Sequence, residues 1–172
     1  MGVRRVVTRH DAERRSVMAS DEEAIAIPFG SRGGAVYVVW GRDDVAHFPD
    51  DGSLPRTPRA FPPPGGCRVS VAELPPGEST EFDEFVSTAL AEFAEPGRPG
   101  MHRTASLDFD IVLEGTVGLE LDGEEVLLSP GDIVVQNGTR HRWHNRGPGK
   151  AKWAAVVIGA RHDLVSPSSG DV

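Results

Sequence analysis

Two short stretches combine histidines with carboxyl, hydroxyl and amide side chains able to bind a metal or move a proton. MHRTASLDFDIVLEG (101–115) carries His102, Thr104, Asp108 and Asp110, and QNGTRHRWHN (136–145) carries Gln136, His141, Trp143 and His144. Both read as strands, in which successive side chains point to opposite faces. His102 and Thr104 therefore share a face, as do Asp108 and Asp110. A straight strand rises about 3.3 Å per residue, which would leave His102 and Asp108 roughly 20 Å apart. They meet only if the chain turns between them, and Thr104-Ala105-Ser106 is small and polar enough to do so. After the Asn137-Gly138 turn, His141, Trp143 and Asn145 share one face while Arg142 and His144 share the other. Periodicity leaves the direction of Asp108 open. Leu107, Phe109, Ile111 and Leu113 form an apolar row which, read alone, is the core face, with Asp108, Asp110 and Glu114 in water.

The elements that must position these residues are mostly strands. VRRVVT, RRSVM and AVYVVW are β-type runs within residues 1–40. Residues 41–66 are rich in Pro, Gly and Asp, exclude a helix or a central strand, and read as a long surface loop. The 40 residues before it are too few for a core of their own, so a single domain is expected. CRVSVAEL (67–74) alternates as a strand. TEFDEFVSTALAEFAEP places Phe82, Phe85, Val86, Ala89, Leu90 and Phe93 at helical spacing, with Thr80 as cap and Pro96 near its end. From 107 to 160 strands follow at spacings of roughly eight to twelve residues, divided by Gly115, Asp122-Gly123, Pro130-Gly131, Asn137-Gly138 and Gly147-Pro148-Gly149. That rhythm marks an antiparallel sandwich or barrel. Residues 161–172 read as a frayed tail.

Composition narrows the function. The chain has 172 residues and a formal net charge of −8. Such an acidic surface argues against nucleic acid and anionic membrane as partners. The lone Cys67 excludes an intrachain disulfide and a cysteine-cluster metal site, and suits a reducing cytoplasm. No apolar run approaches a membrane span, and the first fifteen residues lack the apolar stretch of a secretory signal. A Gly-x-Ser-x-Gly elbow, a P-loop, a His-Glu-x-x-His pair and a Rossmann glycine run are all missing. His144 points away from His141 and is expected at the surface or an interface. His10, His47 and His162 lie in loops or termini, and Arg56 and Arg59 read as solvated charge.

The two histidine stretches resemble the paired motifs of the cupins. The first reads here His102-x-Thr104, three residues, Asp108, six residues, Gly115. The second reads Gly131, four residues, Gln136-x-Gly138, two residues, His141, three residues, Asn145. The likeness covers roughly residues 67–160, and the pairing of an HRT-type first motif with an aspartate is similar to small single-domain bacterial cupins. It departs in having Thr104 for the second histidine, Asp108 for glutamate and Gln136 for proline. The resemblance implies an all-β, double-stranded β-helix (jelly-roll) barrel with one short helix, and it turns Asp108 inward. It implies a metal set reduced to His102, Asp108 and His141, suited to Fe, Mn, Ni or Zn. Thr104, Gln136 and Trp143 would line the pocket, and Asp110 would be a candidate general base. The activity implied is metal-dependent conversion of a small organic molecule by an oxygenase, isomerase or cyclase. The alternative is a non-catalytic small-molecule-binding cupin with a degenerate or empty site. If Asp108 faces inward, Phe109, Ile111 and Leu113 face outward. The N-terminal strands or a second copy must then cover them, so a homodimer is expected.

Overall fold

A computed structural model describes residues 2–29, 33–54, 56, 60–77, 97–98 and 100–164. These residues contain strands and no helix; the helix expected over Thr80–Pro96 lies outside them. In chain order the strands are β1 Arg4–His10, β2 Ser16–Glu23, β3 Ile25–Phe29, β4 Gly34–Arg42, β5 Cys67–Leu74 and β6 Ser106–Glu114. They continue with β7 Val117–Glu120, β8 Glu125–Leu128, β9 Ile133–Asn137, β10 Arg142–Asn145 and β11 Ala151–Gly159. β1 and β2 form a two-stranded ribbon of their own. The others make a six-stranded sheet, β3-β4-β5-β11-β6-β9, and a three-stranded sheet, β10-β7-β8. The larger pairings are antiparallel throughout. This is the all-β jelly-roll barrel expected from the sequence.

Strand β3 escaped sequence reading because Pro28 sits in its middle. Proline cannot donate to a ladder and is confined to edge strands, and β3 is an edge of its sheet. Gly115 closes the turn from β6 to β7 with φ 77. A Cβ there would stand 2.3 Å from the Lys150 carbonyl oxygen, so only glycine fits. The long loop is not wholly superficial. Pro62 and Gly66 are buried, and a Cβ on Gly159 would lie 1.9 Å from the Pro63 carbonyl oxygen. The loop thus lies directly on the end of β11.

Apolar side chains from both sheets, including Phe29, Leu74, Val112, Val117, Trp143 and Trp153, form the core. Full burial of such a side chain is worth about 1.5–3 kcal/mol. Strand β6 contributes Val112 to that core, while Ser106, Asp108 and Asp110 extend the same buried face away from it. The apolar row Leu107, Phe109 and Ile111 is only half-buried, and Leu113 is exposed. Periodicity alone therefore picks the wrong side of this strand. The interior is apolar around Val112 and Trp153 but polar beyond them, a distinction that alternation within one strand cannot carry.

Candidate functional site

The polar end of the barrel is built from two segments that flank strands. His102 and His141 face each other across an antiparallel bridge. Each backbone N–H donates to the other's carbonyl, at 3.0 and 2.9 Å. This bridge brings the two imidazoles to a centroid separation of 4.3 Å. Both are buried, as are Thr104, Asp108, Asp110, Gln136 and Trp143. The turn required at Thr104-Ala105-Ser106 is present, since β6 starts only at Ser106. Thr104 is fully buried, and its hydroxyl lies 2.8 Å from that of Ser106.

The two rings are braced in the same way. His102 Nδ1 lies 3.0 Å from the Gly100 carbonyl oxygen, and His141 Nδ1 lies 2.9 Å from that of Thr139. A carbonyl only accepts, so each Nδ1 carries the hydrogen, which leaves the lone pair of the neutral ring on Nε2. Burial holds both pKa values down against the pull of these carbonyls, that of His141 to about 3. Neutral imidazole with its second nitrogen held by a carbonyl is the form in which histidine ligates metals. Trp143 stands edge-on to His141 at 5.8 Å and against Trp153 at 5.4 Å, forming an apolar wall.

Asp108 and Asp110 lie on the same inward face, each 5% exposed. Burial pushes Asp108 up to about 6, with the Ser106 hydroxyl pulling the other way. Burial, reinforced by the charge of Asp108, pushes Asp110 up to about 8. The Oδ1 atom of Asp108 is buried without a hydrogen-bond partner. The donor chemistry therefore fits a divalent transition ion: two neutral imidazoles and a carboxylate with spare capacity. The ligands are not gathered in advance, however. Among the described residues no three His, Cys, Asp or Glu side chains converge closely enough to hold an ion. The structure brings His102 and His141 together and leaves Asp108 on the buried face of β6.

Three features of the site had no sequence signal or a weak one. Phe61, from the long loop, contacts His102 at 6.4 Å between ring centroids. Nothing in a Pro-rich loop announces that. Thr139 orients Gln136 through a 2.6 Å hydrogen bond from its hydroxyl to Oε1. Its position two residues before His141 was the available clue. His144, expected at the surface or an interface, is buried within the chain, with its Nε2 2.7 Å from Glu120 Oε2. Its face lies over the acidic side of β7, which a reading of β10 alone does not show. Asn145 is structural: its amide nitrogen donates to the Leu74 and Gly149 carbonyls at 2.9 and 2.8 Å.

Residues 89–158 match the cupin domain family, Cupin_2. Over these residues, which include both histidine segments of the jelly-roll barrel, the chain is similar to the cupins. The chain is 36% identical over 103 residues to phomopsin biosynthesis cluster protein C' of Diaporthe leptostromiformis, covering 59% of this chain and 43% of that protein. It is 46% identical over 57 residues to the cupin-domain-containing oxidoreductase fogC of Aspergillus ruber, covering 33% of this chain and 28% of that one. The chain thus spans less than half the length of these curated relatives. Among solved structures, a Cupin 2 conserved barrel domain protein from Salinispora arenicola is similar with a TM-score of 0.42 and 22% identity. That match covers 62% of this chain and 72% of the other.

Proposed function

We propose that this cupin is an enzyme that binds a small organic molecule at the polar end of its barrel and converts it in a metal-dependent reaction of the oxidoreductase type. The observation carrying the proposal is the pair of buried imidazoles, side by side and each with Nδ1 tied to the carbonyl two residues earlier. A structural histidine needs no such shared tautomer. The name given to the Aspergillus ruber relative supports the reaction class. His102, His141 and Asp108 would hold the ion, with Fe, Mn, Ni and Zn all suited to two imidazoles and a carboxylate. When bound, the ion supplies Lewis-acid or one-electron chemistry at an oxygen-bearing substrate.

The chain's own residues do the rest. Trp143 and Phe61 provide apolar walls that exclude water. Asp110, expected from sequence as a candidate general base, is the group placed to transfer a proton. With its pKa raised to about 8, it holds a proton at neutral pH in the metal-free protein and is poised to donate it. The competing reading, a binding domain without metal, draws on Thr104 in the second histidine's place and on the absence of a gathered three-ligand set among the described residues.

Metal content separates the two. Untagged protein, purified without chelator and reconstituted with each ion in turn, is measured by mass spectrometry. Near-stoichiometric Fe, Mn, Ni or Zn supports the enzyme reading. Protein that takes up none of them is the binder.

A further inference from the structure

Two side chains in the barrel interior are left incomplete. Asp108 Oδ1 and Gln136 Nε2 are both buried and without a hydrogen-bond partner. Their residues are 5% and 3% exposed. They are also register partners, Asp108 on β6 directly opposite Gln136 on β9. Side chains in that relation have Cβ atoms about 4.5–5.5 Å apart. In the structure Thr139 Oγ1 donates to Gln136 Oε1 at 2.6 Å. The NH₂ end is therefore the one left over. A buried donor or acceptor with no partner is costly, and this interior carries one of each on facing register positions.

The pair is complementary in kind, one end donating and the other accepting. One hydroxyl oxygen satisfies both: it accepts from Gln136 Nε2–H and donates its own hydrogen to Asp108 Oδ1. A carbonyl or ether oxygen has no hydrogen for the aspartate. A carboxylate would bring a second negative charge to it. We infer that Gln136 and Asp108 form a hydroxyl-reading subsite, and that the small molecule bound in this barrel presents a phenol, enol or alcohol oxygen between them. The inference rests on the barrel interior being the small-molecule site. It is compatible with Asp108 as a metal ligand, since an ionised carboxylate has two oxygens and about four lone-pair sites.

The probes are 4-fluorophenol, 4-fluoroanisole and 4-fluorobenzaldehyde, with binding read by ligand-observed fluorine NMR on chelator-treated protein. The phenol is expected to bind at least tenfold more tightly than the other two. Gln136→Leu should bring the three within about twofold of one another. Thr139→Val keeps the glutamine but releases its amide, and should erode the preference without removing it; it also serves if Gln136→Leu does not fold. Equal binding of the three probes, no binding of the phenol, or a preference that survives Gln136→Leu would overturn the subsite. So would a crystal grown with the phenol in which only a water spans the pair. Because the measurement uses metal-free protein, a chain that never takes up metal leaves it intact. A chain that binds metal but ignores the phenol loses the subsite alone.

Discussion

His141 and His144 are three residues apart, both buried, and on opposite faces of the same short segment. The outer one is fully answered by its neighbours. Glu120 receives His144 at 2.7 Å, the Arg142 guanidinium at 2.6 and 2.9 Å, and Arg98 at 3.0 Å. The inner one stands beside another neutral imidazole, with two carboxylates and an amide on the same interior and no cation among them. The outer cluster neutralises its charge within the chain, which is how a protein holds a sheet face together. The inner cluster pays the cost of burial with partners still missing, which is how a protein keeps a place for something else.

The contrast breaks first at the metal. His141→Ala is expected to weaken metal retention by about a hundredfold or more, beyond the 10–100-fold typical of losing a group that merely orients a ligand. His144→Ala should leave it unchanged. Competition with a chelator measures both, and equal losses would erase the distinction between the two faces. The fold should survive His141→Ala, because the bonds between residues 102 and 141 are main-chain.

A second consequence lies outside the barrel. With Asp108 inward, Ile133 at 62%, Val135 at 53% and Leu113 at 48% exposure form an apolar face on β9 and β6. A homodimer that covers this face is expected, and Ile133→Asp should weaken it at least tenfold, in line with about 1.5–3 kcal/mol for burying one such side chain. Light scattering across a dilution series decides it. A parent protein that is monomeric at micromolar concentration would leave the face bare.

The two clusters also predict opposite responses to pH. A carboxyl raised by burial binds its proton more tightly folded than unfolded. The metal-free protein should therefore lose stability as pH rises from about 4, the unfolded value. That loss levels off above the folded values of about 6 and about 8 for Asp108 and Asp110. Asp110→Asn should recover on the order of 1–2 kcal/mol at pH 8.5 and nothing at pH 4. Glu120 behaves the other way. Burial pushes its pKa up, but the hydrogen bonds from His144 and Arg142 outweigh this and hold it at about 2. Its contribution is complete above about 4.3 and is lost as pH falls toward 2. Glu120→Ala should cost about 1 kcal/mol at neutral pH, the smallest of these effects. Urea titrations at pH 4, 7 and 8.5 test both. A Glu120→Ala protein as stable as the parent would remove the outer cluster from the account of stability.

Much of this was legible beforehand, unevenly. The strands from 107 onward announced themselves through alternation and turn residues at short intervals. The positions of His102 and His141 were readable through motif spacing. The inward direction of Asp108 was not readable from its own strand, because an apolar row on the opposite face looks like a core to any periodicity argument. β3 was hidden by Pro28, whose placement makes sense only once the strand is known to be an edge. The contact of Phe61 with His102 depends on which segment lies across from it. One strand carries no record of its neighbours.

The bridge between His102 and His141 separates what holds the chain from the side chains it presents. The seam is made by peptide groups, which every residue but proline supplies, so the side chains mounted on it are free to be exchanged. Either imidazole could be replaced without breaking these main-chain bonds. Thr104, close to the seam and standing where a second histidine belongs in the motif, is what such freedom looks like in a single sequence. The frame rests on backbone pairing, and the side chains mounted on it can be exchanged one at a time.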